Sequence, residues 1–144
     1  LGWGEAFRIV QNEGTGLLIT GTREWKDYRV ESRVRPHLAS SAGIAVRVQG
    51  MRRYYALELV RNGGVRLIKQ LDGQKVLAEA EFNWNLGEEL DLAVEVDGTA
   101  IRGLIGGHLI LEAIDQESPL ETGGIAYVLT EGRMGSESIY VNPL

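Results

Sequence analysis

Seven polar residues in this sequence have types and spacing suited to recognition chemistry: Arg33, Arg35, Arg47, Tyr54, Glu58, Arg66 and Gln70. All fall on the polar parity of segments that alternate with aliphatic residues. In the stretch 41–71, Ile44, Val46 and Val48 alternate with Ala45, Arg47 and Gln49, and Tyr55, Leu57 and Leu59 alternate with Tyr54, Ala56 and Glu58. Strands of that pattern would carry the seven out of a core together, onto the outer face of one sheet. Arg and Glu offer donors and acceptors in fixed planar geometry, and a Tyr ring can pack against the apolar face of a sugar. The competing reading is that Arg and Glu pair across strands and simply keep the sheet soluble.

Other chemistries find less support. His37 and His108 stand beside turn residues, without an Asp or Ser at a spacing that suggests a triad. The carboxylate pairs Glu79/Glu81, Glu88/Glu89 and Asp91/Glu95 lie close along single strands, where a solvated face is the plainer explanation than a glycosidase pair. Asp97, Asp115 and Glu117 are the oxygen donors from which a structural Ca2+ on a rim would be built, although their spacing matches no fixed calcium loop; no other cofactor is expected. The glycine pairs are not followed by a helix and a Lys-Ser or Lys-Thr step, so they read as turns and not as phosphate cradles. Trp3, Trp25 and Trp84 sit near loops or strand ends, where an exposed ring would make a sugar platform and burial at an edge is the favoured alternative.

The elements that must position these residues are short strands. The stretch 41–71 predicts three of them, with Asn62-Gly63-Gly64 closing a hairpin. Ahead of it, 7–11 and 17–20 read as two strands around the turn-rich spacer 12–16, and 28–36 reads as a strand that Pro36 ends or places at an edge. Beyond it, 75–82 reads as a strand despite its helix formers, and 88–96, 99–105 and 108–114 form a meander through Asp97-Gly98 and Gly106-Gly107. Two last strands, 123–129 and 136–141, flank the spacer 131–135. Ten to twelve strands without a long helix predict an all-β fold: a two-sheet antiparallel β-sandwich of jelly-roll type.

At 144 residues, 44% hydrophobic and 24% charged, the chain has the size and composition of one globular domain. A net charge of -5, with basic residues dispersed among acids, argues against nucleic acid as a partner, and no apolar run is long enough to span a bilayer. No cysteine is present, which removes disulfides and thiol chemistry and leaves the compartment undetermined. The start at Leu1 suggests a processed chain or a piece of something longer, such as a C-terminal module.

From about residue 16 onward the order of motifs resembles the concanavalin A-like, laminin-G-like β-sandwich family. GLLITGTREWKDYRVESRVRP is similar to its entry into the first long strand, and SAGIAVRVQGMRRYYALEL to its aliphatic-Arg strand followed by Tyr-Tyr-x-Leu-x-Leu. VRLIKQLDGQKVLAEAEF and LDLAVEVDGTAIRGLIGGHLILEAID match its later strand pattern. The resemblance implies a concanavalin A-like fold and contact with carbohydrate, because such domains include glycan-binding modules attached to glycoside hydrolases, domains related to glycosidases of keto-sugars, and accessory domains of ADP-ribosylglycohydrolase-like proteins. The leading expectation is a non-catalytic carbohydrate-binding or accessory module beside a catalytic domain. The alternatives are a keto-glycoside hydrolase and a structural interdomain module.

Overall fold

The structure, a computed structural model, describes the backbone of residues 2–3, 7–61 and 63–144, and the side chains of 15–19, 25–61, 63–136 and 139–144. Every regular element among them is a strand: β1 (Gly2–Trp3), β2 (Phe7–Trp25), β3 (Tyr28–Gly50), β4 (Arg53–Val60), β5 (Gly64–Leu71), β6 (Gln74–Glu81), β7 (Leu90–Asp97), β8 (Ala100–Ile105), β9 (His108–Ile114) and β10 (Gly123–Pro143). All pairings are antiparallel. No helix long and apolar enough to cross a membrane occurs among the described residues.

Two layers arise because β3 belongs to both. Residues 28–34 of β3 pair with β7, which continues into β8 and β9; residues 41–46 pair with β4, which continues into β5 and β6. The long strand β10 follows β3 through both layers and brings β2 along its other edge. The first layer therefore reads β2-β10-β3-β4-β5-β6, and the second is built on the other ends of β3 and β10 with β7, β8 and β9. Between the layers lie Val30, Val34, Ile44, Val46, Tyr55, Leu57, Leu59, Leu67, Leu92, Val94, Ile101 and Tyr127, all buried. Contact across the core is close: a Cβ built on Gly103 of β8 would sit 2.7 Å from Leu57 Cδ1 of β4.

Of three expectations about strand ends, two are corrected and one is narrowed. Pro36 does not end β3, but it takes the alternative expected for it, an edge position: the strand pairs there with β10 alone, and among the described residues no strand pairs on its other side. Pairing with β7 has already stopped at Val34, and the register with β10 shifts opposite Pro36, so its missing N–H falls where β3 bends from one layer to the other. Residues 12–16 make no turn, because β10 pairs with β2 continuously enough to hold it as one strand from Phe7↔Ser136 to Trp25↔Gly123. The spacer 131–135 is likewise inside β10, where Glu131 (φ 45°) and Gly132 (φ 154°) form a bulge. Glycine-rich segments that read as chain reversals serve instead as irregularities in long bent strands. Asn62 of the expected 62–64 turn lies outside the described residues, and Gly63 at φ 85° closes that hairpin with its N–H donated to the Val60 carbonyl at 3.2 Å. The strand expected at 75–82 and the meander of 88–114 are present as β6 and as β7, β8 and β9.

Candidate functional site

On the first layer's face opposite the main core, strand register arranges side chains in rows that cross six strands. One row is Leu17–Val128–Gly43–Glu58–Arg66–Glu79. Beside it runs a hydroxyl-bearing row, Thr15–Thr130–Ser41–Val60, in which the Thr15 and Thr130 hydroxyls lie 2.6 Å apart. On the other side runs a row of small and branched residues, Ile19–Ala126–Ala45–Ala56–Ile68, flanked by Tyr54 and Gln70. Alternation along β3, β4 and β5 puts these residues on one face, and the Asp72-Gly73 turn brings Glu79 opposite Arg66.

The charged row is unlike a solvated surface. The Glu58 side chain is only 3% exposed and accepts from Arg66 Nε at 2.9 Å. Burial raises its pKa above the usual glutamate range, although the Arg66 charge and hydrogen bonds from Arg66 and Ser41 act in the opposite direction. The Tyr54 hydroxyl is pushed up to about 12, first by burial and then by the charge of Glu58. Directly opposite Glu58 stands Gly43, whose Cβ would lie 1.8 Å from the Leu57 carbonyl oxygen, so β3 can place no side chain there. Toward β6 the row opens into a depression of about 440 Å3, lined by Val60, Gly64, Arg66, Glu79 and Glu81. The depression can accept hydrogen bonds through Glu79 and Glu81 and donate them from the Arg66 guanidinium, which the buried Glu58 carboxylate holds in place.

Of the seven residues expected on one face, Tyr54, Glu58, Arg66 and Gln70 come together here. Arg33 and Arg35 do not. They project from the second layer, where Arg33 Nε meets Asp91 Oδ1 at 2.8 Å and Arg35 Nη2 meets Glu89 Oε2 at 2.9 Å. The layers separate them from Glu58 because β3 changes layer at Pro36.

Arg47 is a second correction. It is 1% exposed and sits at φ 47° where the β3–β4 register shifts between Val46 and Gly50, so strict alternation fails. Its guanidinium donates to the carbonyls of Lys26 (3.0 and 2.8 Å), Gly98 (2.6 Å) and Leu120 (3.0 Å), and to Asp27 Oδ1 (3.1 Å). All five N–H groups are used, which ties three loops at one end of the sandwich and leaves none for a ligand.

The remaining candidates take structural positions. Asp115 is buried and accepts from Lys69 Nζ at 2.7 Å and from the Tyr55 hydroxyl at 2.6 Å, while Lys69 also donates to the carbonyls of Glu117 and Ser118. Burial works to raise the Asp115 pKa, and the Lys69 ammonium and Tyr55 hydroxyl outweigh it, holding the carboxyl below its ordinary range. Asp115 thus serves a buried ion pair. Among the described residues no three His, Asp or Glu side chains converge as a metal site would require. Trp84 is buried with Nε1 donated to the Val60 and Gly64 carbonyls, Trp25 packs against Tyr28, and the side chain of Trp3 lies outside the described residues. His37 and His108 are exposed. The pairing of Glu79 with Arg66 was within reach of sequence reasoning, since both flank the Asp72-Gly73 step, a common turn pair. Thr15 and Thr130 share a face only through the β2–β10 ladder, which no local pattern announces.

The fold defines the class: a two-layer antiparallel β-sandwich. No family model matches the sequence, and no curated protein matches it. Among solved structures, the carbohydrate binding module CBM66 from Bacillus subtilis superposes with a TM-score of 0.82 at 14% identity, over 92% of this chain and 84% of that one. CBM40 of the Ruminococcus gnavus IT-sialidase, bound to α2,3-sialyllactose, gives 0.63 at 14% identity over 100% of this chain and 92% of that one. An Aspergillus kawachii β-fructofuranosidase complexed with glycerol gives 0.66 at 13% identity over 96% of this chain and 27% of that one. At these identities the likeness is one of fold.

Proposed function

We propose that this chain is a non-catalytic carbohydrate-binding module whose binding face is the outer side of the first layer, centred on Glu58, Arg66 and Glu79. The observation that carries the reading is the Glu58–Arg66 pair: a nearly fully desolvated carboxylate on the face away from the main core, beside a depression of about 440 Å3. A charge that serves only solubility stays in water, whereas the buried Glu58 carboxylate fixes the Arg66 guanidinium where it borders the depression and can donate to a ligand. Sugar hydroxyls in the depression can donate to the carboxylates of Glu79 and Glu81 and accept from Arg66, while Glu58 and Tyr54, 2% and 3% exposed, lie buried, Glu58 holding Arg66 in place. The fold is shared with proteins named as carbohydrate-binding modules, which supports the reading without naming a sugar.

Attachment to a hydrolase is part of the proposal. The sandwich that matches the β-fructofuranosidase spans only 27% of that longer enzyme, and a neighbouring catalytic domain in the same polypeptide would use this domain to hold it near substrate.

Affinity electrophoresis against neutral polysaccharides, fructans included, together with a glycan array, tests the binding reading. Retardation is expected for the wild-type protein. Glu79→Ala should weaken binding about tenfold or more with the melting profile retained, because Glu79 is exposed at the depression, whereas Arg66→Ala should weaken binding and also lower the melting midpoint, because it leaves Glu58 buried without its cation. Absence of any retained glycan from a folded sample would end the proposal.

A further inference from the structure

Resting on the carbohydrate-binding reading, we infer that the domain carries a second and separate glycan site on its opposite face, a trough across the second layer that takes a neutral polyhydroxylated chain. Most of that face is an ordinary charge ladder. Arg29, Glu95, Arg102 and Glu112 follow one another across four strands, with contacts of 2.9, 3.8 and 2.7 Å. The next row in register breaks the pattern: Tyr140–Glu31–Ala93–Leu104–Leu109. Ala93 contributes only a methyl, and the Gly106-Gly107 turn contributes no side chain. What remains is a trough of about 530 Å3, within the size range of small-molecule sites. The Tyr140 side chain stands at its end, on a residue 49% exposed.

The walls specify the ligand's charge. Arg29 is bonded to Glu31 at 3.3 Å and Arg33 to Asp91 at 2.8 Å, so each guanidinium along the trough already has its carboxylate. An anionic or cationic ligand would gain one ion pair by breaking another. A neutral polyol can accept from the guanidinium groups and donate to the carboxylates while those pairs stay intact, and its C–H face can pack on the Tyr140 ring. A solvated ladder accounts for the charged row but not for an exposed aromatic ring over a floor of small residues. The trough and the Glu58 row look out from opposite layers, so one module can hold two glycan chains and bridge them.

Amide chemical-shift mapping of the 15N-labelled protein tests this, with maltohexaose, cellohexaose and a fructan hexasaccharide as probes. Two separate clusters of shifted amides are expected, one around Glu58 and Arg66 and one around Ala93, Gly106, Gly107 and Tyr140. Tyr140→Ala should weaken binding at the second cluster about tenfold and leave the first unchanged, Tyr140→Phe should retain both, and Arg66→Ala should affect the first alone. Shifts confined to the Glu58 cluster overturn the second site and leave the proposed function standing. Shifts confined to the trough overturn the Glu58 site instead, and no shift with any probe overturns both.

Discussion

Two buried charges, Arg47 and Asp115, carry opposite lessons to Glu58. Each is engaged by internal groups and ties loops to the sandwich. Asp115 has the clearest pH signature. Its carboxyl is held below its usual range in the folded chain, so the unfolded chain binds the proton more readily. The stability it contributes is present above the ordinary aspartate pKa and is lost as pH falls through the depressed one. Glu58 has the reverse sign: its raised pKa gives stability that is present below the ordinary glutamate pKa and lost as pH rises through the raised one. Asp115→Asn should cost about 3–5 kcal/mol at neutral pH, because it leaves the Lys69 ammonium buried without its anion. The gap between this variant and wild type should narrow on acidification from about pH 7 to about pH 3, read from urea denaturation midpoints. A gap that stays constant would show that the ion pair does not set the acid limb. Residue types and parity indicated that Tyr54, Glu58, Arg66 and Gln70 share a face. Nothing in the sequence singles out Lys69, because its partner Asp115 lies in a loop far along the chain and no local feature gives a reason for burying an ammonium.

Among the strands, β3 decides where the site residues go. Its alternation is legible from Tyr28 to Val34 and again from Ser41 to Val46, yet the bend at Pro36 sends Arg33 and Arg35 to one layer and aligns Gly43 with Glu58 in the other. The bulge at Arg47 then reverses that residue into the interior. A sequence pattern reports period, and period says nothing about which sheet a strand has entered or where a bulge resets its parity. Gly43 exposes how closely β3 approaches β4. Gly43→Ala would drive a methyl group into the Leu57 backbone carbonyl, which cannot move aside as a side chain could. The expected loss is at least the ~1–3 kcal/mol typical of overpacking, accompanied by weakened glycan binding as the Glu58 row is displaced. Thermal melts and affinity electrophoresis on the same sample check this, and a variant with wild-type values in both would show that the strands have room to part.

Over the whole molecule, the two layers are one hydrogen-bonded system because β3 and β10 run through both. The β2–β10 ladder joins Phe7 to Ser136, so strands from opposite ends of the chain must meet before the first layer is complete. Such non-local pairing predicts folding on the millisecond-to-second scale in a single cooperative step. Truncation after Leu129 would remove the half of β10 that pairs with β3 in the second layer and would leave Ile139 and Val141 absent from the core. The shortened chain is expected to lose the whole fold and not the second layer alone, as circular dichroism and urea unfolding would register; a stable residual layer would contradict this coupling.

By itself the sequence determined the all-β class, most strand positions, the apolar core parity and four residues of the candidate face, because those follow from alternation and turn chemistry over a few residues. Only the tertiary structure decided that the Asn12–Gly16 and Glu131–Gly135 segments lie within long strands, that Arg47 is an internal tie, and that Arg33 and Arg35 belong to the opposite face. It also assembled the hydroxyl row of Thr15, Thr130 and Ser41 and the Tyr140 trough. Each of these depends on pairing between segments distant in the chain, and the energy that selects one bend, bulge or register resides in those pairings and not in any local stretch.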